Sequence, residues 1–217
     1  MTEPGRQITP DLTEVLRKAL ENRLCDLHTM LPGRVEEYSP LTGRATVRPL
    51  LKRKYRSETA ATSLPLIAEV PVYFPKANAA HLALPLKPGD EGMLVFCERS
   101  IDLWADQGGE VDPNDPRKHH LSDAVFLPGL TSTPNTLRRK GSANSAEMAN
   151  GLAYVELFAS GKIKLSNSAD EVLAILVDLL SDLLSATVVT ALGASPFTIA
   201  TQTRLQVIKT RLEAFKA

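Results

Sequence analysis

The sequence predicts a mainly β chain with added α: an N-terminal helix, a small barrel of short strands, a short β segment and a C-terminal helical hairpin. Three observations carry that prediction. Between residues 31 and 130, apolar residues alternate with polar ones in short runs separated by Pro- and Gly-bearing turns, the pattern of half-buried strands. On both sides of that region the apolar spacing changes to three and four residues, which marks helices with one apolar face. A stretch rich in Thr, Ser, Asn, Arg and Lys then separates the barrel from the C-terminal segments. The expected segments are residues 1–30, an N-terminal helical segment; 31–130, the barrel; 131–150, a linker; 151–167, a short β segment; and 168–217, a helical region.

The first helix starts at Thr9-Pro10-Asp11, where a capping hydroxyl precedes a proline at the first helical position and an acid in the first turn. Leu12, Val15, Leu16, Leu20 and Leu24 follow at helical spacing, so this face must pack on the barrel or on a neighbouring subunit. From Gly33 the period becomes two. Val35 stands beside Glu36 and Glu37, a turn runs through Ser39-Pro40-Leu41-Thr42-Gly43, and Ala45 and Val47 alternate with Arg44, Thr46 and Arg48. Leu66 to Phe74, Glu91 to Glu98 and Ala124 to Leu127 supply three more strands, and Lys87-Pro88-Gly89-Asp90 supplies a tight corner. Met93-Leu94-Val95-Phe96 reads as a buried strand. Five short strands in about 100 residues suit a small Greek-key barrel such as the OB-fold. Periodicity alone does not separate it from an SH3-like barrel.

Beyond the linker, Leu152 to Phe158, an Ala159-Ser160-Gly161 corner and Lys162-Ile163-Lys164-Leu165 make two strands too short to be stable alone. Alternation puts Ile163 and Leu165 on one face and Lys162 and Lys164 on the other. Leu173, Leu176, Leu180 and Leu183 form one helical seam, and Leu205, Ile208, Leu212 and Phe215 repeat its spacing. Gly193-Ala194-Ser195-Pro196 breaks the helix between them, giving a helical hairpin. Val172, Ile175, Leu179 and Leu184 widen the first seam beyond what one hairpin can bury, which argues for self-association.

Composition narrows the function classes. Lys and Arg together number 25, as do Asp and Glu, so no global field points to nucleic acid or an anionic membrane. Cys25 and Cys97 are isolated, without metal-ligand spacing or a disulfide framework, and reduced structural thiols are expected. Glu3, Asp11 and Glu14 stand where a secretory signal carries basic and apolar residues. The longest apolar run, Val172 to Leu184, is interrupted by Asp178, Ser181 and Asp182 and is too short to span a bilayer.

Candidate sites are few. Arg44, Arg48, Lys52, Arg53, Lys54 and Arg56 form a basic run, but Tyr55 alone makes a poor stacking platform, so a solvated strand end or subunit interface is the better reading. His119-His120, beside Asp115, Arg117 and Asp123, lacks the convergent geometry of a metal site. Glu98 and Asp102 are the only imaginable carboxylate pair, and charged strand ends explain them more simply. Ser195 precedes a proline with no partner in view, and Trp104 reads as a packing anchor. No catalytic, cofactor-binding or metal residue is therefore expected, and no cofactor.

Several segments carry a family likeness. Leu31-Pro32-Gly33-Arg34-Val35, Gly43-Arg44-Ala45-Thr46-Val47-Arg48-Pro49 and Val70-Pro71-Val72-Tyr73-Phe74-Pro75 come first, then Pro85 to Leu130 with Glu98-Arg99-Ser100-Ile101-Asp102-Leu103-Trp104 and His120-Leu121-Ser122-Asp123-Ala124. In this order, over about half the chain, they resemble the N-terminal OB-fold domain of the membrane-puncturing central spike proteins of contractile phage tail baseplates. The resemblance implies a virion structural protein, assembled in the bacterial cytoplasm as a homotrimer. It would cap the tail tube and baseplate hub as a spike or spike base and contribute to envelope penetration. The implied partners are the hub and tube proteins, a separate tip protein and the host cell envelope, with no nucleic acid. In that reading residues 151–165 of three chains wind into a short intertwined β segment. The interface would be built from Ile163, Leu165, Leu173, Leu176, Leu180, Leu183, Leu205, Ile208, Leu212 and Phe215. The family's long β-repeats and histidine-bearing metal tip have no counterpart here, so direct puncturing is not implied for this chain. A nucleic-acid-binding OB module and a baseplate-associated peptidoglycan hydrolase are the rival readings.

Overall fold

The computed structural model describes residues 11–54, 58–139, 141–167, 169–191 and 193–215, in two units that meet between Thr136 and Leu137. The expected cap at Thr9-Pro10 and the basic-run residues Tyr55 and Arg56 lie outside the described residues. Helix α1 runs Leu12–Cys25 with Asp11 before it. Strands β1 (Met30–Ser39) and β2 (Arg44–Pro49) form the expected hairpin, which β3 (Ile67–Pro71) extends. A two-residue pair, β4 (Lys76–Ala77) and β5 (Ala80–His81), caps the connection to β6 (Glu91–Phe96). Helix α2 (Asp102–Gln107) and a long loop then lead to β7 (Ala124–Pro128).

The main sheet has the order β3-β2-β1-β6-β7 and is antiparallel throughout. It curls until its two edges meet at a parallel bridge between Val72 and Phe126, where the Tyr73 amide donates to the Phe126 carbonyl at 2.9 Å. The result is the OB-fold-like half-barrel that the alternation predicts, and the edge bridge selects this topology where periodicity left the SH3-like barrel open. A shift in register between Val35 and Glu37 on β1 is a bulge that helps the sheet curl. Val35, Ala45, Val47, Ile67, Val70, Leu94, Phe96, Ala124 and Phe126 fill the interior. Gly92 sits where a Cβ would lie 2.5 Å from the Leu127 carbonyl oxygen and from the Phe126 ring, so only glycine lets β6 and β7 close over that ring.

The second unit contains β8 (Ser145–Asn150), β9 (Ala153–Phe158) and β10 (Ile163–Ser166) in an antiparallel sheet of order β10-β9-β8. Helix α3 (Val172–Ser185), the hairpin β11 (Thr187–Thr190) and β12 (Gly193–Pro196), and helix α4 (Ile199–Phe215) follow.

Three expectations need correction. The 131–150 segment is not a plain linker. A 3-10 turn at Thr133–Asn135 is pinned to the barrel, since the Ser132 amide and the Asn135 side-chain amide both donate to the Glu91 carboxylate at 2.7 Å, and Ser145–Asn150 is strand β8. Its polarity misled because one face of β8 points into a hydrogen-bonded network. Gly193–Pro196 does not end the helix, which stops at Ser185; it forms the second strand of a β-hairpin between α3 and α4 rather than a simple helix–helix turn. Trp104, expected to be a packing anchor for the barrel or an interface, is 52% exposed on α2 and so is not buried in the barrel.

Candidate interaction surfaces

The three-stranded sheet of the second unit closes its polar face and leaves its apolar face open. Directly opposed residues share a face. Ile163 pairs with Leu157 and Leu165 with Val155, while on the other side Met148 pairs with Val155 and Ala146 with Leu157. One face is thus Ala146, Met148, Ala153, Val155, Leu157, Ile163 and Leu165, with Asn150 at its end opposite Ala153. On the other, Glu156 is buried and accepts hydrogen bonds from the Ser142 amide at 2.6 Å and from the Ser145 hydroxyl. These bonds, the hydroxyl's first, hold the Glu156 carboxyl below the usual carboxylate range. Glu147 accepts from the Gly141 amide, and a Cβ at Gly141 would strike the Glu156 carboxyl carbon at 2.5 Å. On the same face Lys164 is half-buried, 5.5 Å from the Tyr154 ring centroid, and its bond to that phenol lowers the tyrosine pKa and raises its own. On the open side Met148 is 62% exposed and Leu157 50%.

Helix α3 continues this asymmetry. Glu171 caps it, accepting from the amides of Leu173 at 3.1 Å and Ala174 at 2.6 Å, and its carboxylate also takes the Leu165 amide of β10. Val177 is buried, and Leu173, Leu180 and Leu184 are partly covered where α3 packs with α4. Val172, Ile175, Leu176, Leu179 and Leu183 face out. The seam read from the sequence is therefore split in a single chain: Leu173 and Leu180 lie on its covered side and Leu176 and Leu183 on its open side. On α4, Leu205 and Leu212 are partly covered and Ile208 is exposed, while the side chain of Phe215 lies outside the described residues. Ile163 and Leu165 are half-buried.

In the first unit α1 has no buried residue, and Leu12, Val15, Leu16, Leu20, Leu24 and Leu27 are exposed. The barrel of the same chain therefore does not cover this helix, contrary to one of the two packings expected for it.

The long loop between β6 and β7 is held by Arg117, a role the sequence did not disclose. Its guanidinium donates to Asp123 at 2.7 and 2.8 Å, to Asp115 at 2.9 Å and to Asp102 at 2.6 Å. Asp123 is fully buried and also accepts the Ile101 amide at 3.1 Å, so both ends of the loop meet at one carboxylate. Hydrogen bonds to Asp123 and Asp102 push the Arg117 pKa further up, and the Arg117 amide and guanidinium pull Asp115 down. An acid immediately before an apolar strand, preceded by Asp-Pro-Arg, was the available signal.

The remaining candidates occupy ordinary settings. Asp102 is paired with Arg117 and Glu98 with its neighbour Arg99 at 3.4 Å. Arg48 pairs with Glu36 at 2.7 Å, and Arg44 donates to the Glu69 carbonyl at 2.9 Å. His119 adopts a left-handed φ of 48°, and its Nδ1 is buried without a hydrogen-bond partner. No group of three metal-ligating side chains converges among the described residues, and Ser195 donates to the Pro196 carbonyl. Both cysteines are free thiols, Cys97 half-buried with its pKa raised by burial, Cys25 exposed and so without the packing role expected of it. No helix among the described residues is long and apolar enough to cross a membrane.

Residues 31–129, which span β1 through β7, match the family model of the phage protein Gp138 N-terminal domain. The match covers 99 of the 217 residues and likens the first unit to a phage protein domain. No curated protein matches the chain.

Proposed function

We propose that the chain is a homotrimeric component of a contractile phage tail baseplate, set on the tail axis as a spike base or plug. One observation carries the reading: the apolar face of the β8–β10 sheet and the outward stripe of α3 lie open while the polar face is closed over buried Glu156. A chain that shields its charges and exposes Met148, Leu157, Leu176 and Leu179 is built to bury them against copies of itself. A threefold arrangement places each face against its neighbours without leaving a free edge. The half-barrels would then sit on the hub and tube proteins, and the second units would extend along the axis toward a separate tip protein and the host envelope. The role is mechanical and requires no cofactor or catalysis.

Gold or antibody labelling of the protein on purified tails, viewed by negative stain, tests this placement. Label on the axis at the baseplate is the expected result, and label at the periphery would overturn it. Substituting Glu98 or Asp102 with the corresponding amide should leave any peptidoglycan-degrading activity of the particles unchanged.

A further inference from the structure

A second feature of the first unit points away from assembly. A cavity of about 450 Å³ opens where the C-terminal end of α1, the start of β1, the segment after β2 and the loop before β7 come together. Its walls carry Arg23, His28, Arg53, Arg117, Lys118 and His120, with Asp26 as the one carboxylate and Leu64, Pro65 and Leu121 as the apolar floor. Arg117 is already matched by Asp102, Asp115 and Asp123, and the rest of the lining sets the cations Arg23, Arg53 and Lys118 beside Asp26. We propose that this cavity is a binding site for a phosphate monoester, with the phosphate between Arg53, Lys118 and His120 and its organic carrier over the Leu64–Pro65 floor.

Geometry supplies the donors. The Ser122 amide reaches His120 Nδ1 at 3.2 Å, which makes Nδ1 the acceptor and leaves the ring proton of the neutral histidine on Nε2. Arg53 is fixed by a two-way backbone bridge to Thr62, both bonds 2.8 Å, so its side chain starts from a rigid base. The His28 amide donates to the His119 carbonyl at 3.1 Å and joins the two histidine-bearing walls. The local field agrees. His28 lies tilted against Phe96 with ring centroids 5.3 Å apart, and its pKa is lowered by burial first, then by His120, with Arg53 adding to the effect and Asp26 opposing it. A dianion in the cavity reverses that balance. The volume exceeds what inorganic phosphate fills and suits a phosphate with a sugar-sized carrier. Single-stranded nucleic acid is disfavoured because no Phe, Tyr or Trp is among the described residues that line the cavity, which leaves a poor stacking platform for a base.

The full-length protein, labelled with ¹⁵N on histidine, should be titrated with sodium phosphate and with glucose 1-phosphate at constant ionic strength, following the ring signals. Both should shift the ring signals of His28 and His120, with His81 unmoved as an internal control. Glucose 1-phosphate should bind at least threefold more tightly than orthophosphate, and equal affinities would overturn the carrier site. R53Q and K118Q should each weaken binding tenfold or more, with K52Q, outside the cavity, unchanged. Unmoved His28 and His120 signals at 10 mM phosphate, an equal loss in K52Q, or tighter binding of a dT10 oligonucleotide than of glucose 1-phosphate would each refute the proposal.

Discussion

At the scale of single residues, the half-barrel rests on a few buried polar contacts whose removal is costly. Arg117→Ala leaves Asp123 fully buried without its cation, and losing one partner of such a pair costs about 3–5 kcal/mol. Asp102→Asn removes a contact at an exposed carboxylate and should cost under about 1 kcal/mol. Urea unfolding of the two variants checks both values, and equal losses would mean that Arg117 acts only at the surface. The pH dependence has two parts. His28 has a folded pKa below its ordinary 6.5, so the unfolded chain takes up its proton first; this contribution is complete above pH 6.5 and is lost as pH falls through the folded value. Glu36, Glu91 and Glu156 lie below their ordinary 4.5 and Asp115 below 3.8, so their stabilisation is complete above about pH 5 and is lost as pH drops through the acid range. Thermal melts should therefore fall in two phases, the first beginning below about pH 6.5. H28Q should abolish that first phase and leave the second.

At the scale of elements, the open faces separate assembly from folding. Leu180 lies on the covered side of α3, so Leu180→Ala should weaken the packing of α3 within each chain by roughly 2 kcal/mol, the low end for a partly buried leucine. Leu176 and Leu183 face outward, so L176A/L183A should leave that packing nearly unchanged yet lower the melting temperature of the oligomer and make it concentration-dependent. Ile163→Asp places a charge on the open apolar face and should prevent association while the half-barrel stays folded. Sedimentation beside circular dichroism distinguishes the two effects, and parental sedimentation of all three variants would remove both faces from the interface. Much of this was legible in the sequence. The β1–β2 hairpin, β6, β7 and the helical seams follow from spacing, because spacing reports which face is apolar. What spacing does not report is which apolar face the chain itself covers, so Leu176 and Leu180 looked alike. Strand β8 was hidden because its Ser145 and Glu147 face a buried network, and burial of polar groups is settled only by their partners. The Arg117 hub was hidden for the same reason, since its carboxylates come from α2, the loop and the residue before β7.

At the scale of the whole molecule, the exposed leucines of α1, the open sheet face and the outward stripe of α3 are the surfaces that the proposed trimer would bury between copies of the chain. A monomer presenting all three would carry apolar patches beyond what soluble monomers ordinarily tolerate. The mass of the purified full-length protein in solution, measured by light scattering on a size-exclusion column, tests this most directly. A single species at about three times the 23.6 kDa chain mass, stable on dilution to low micromolar concentration, is the predicted result. A species at 23.6 kDa across the same range would contradict it.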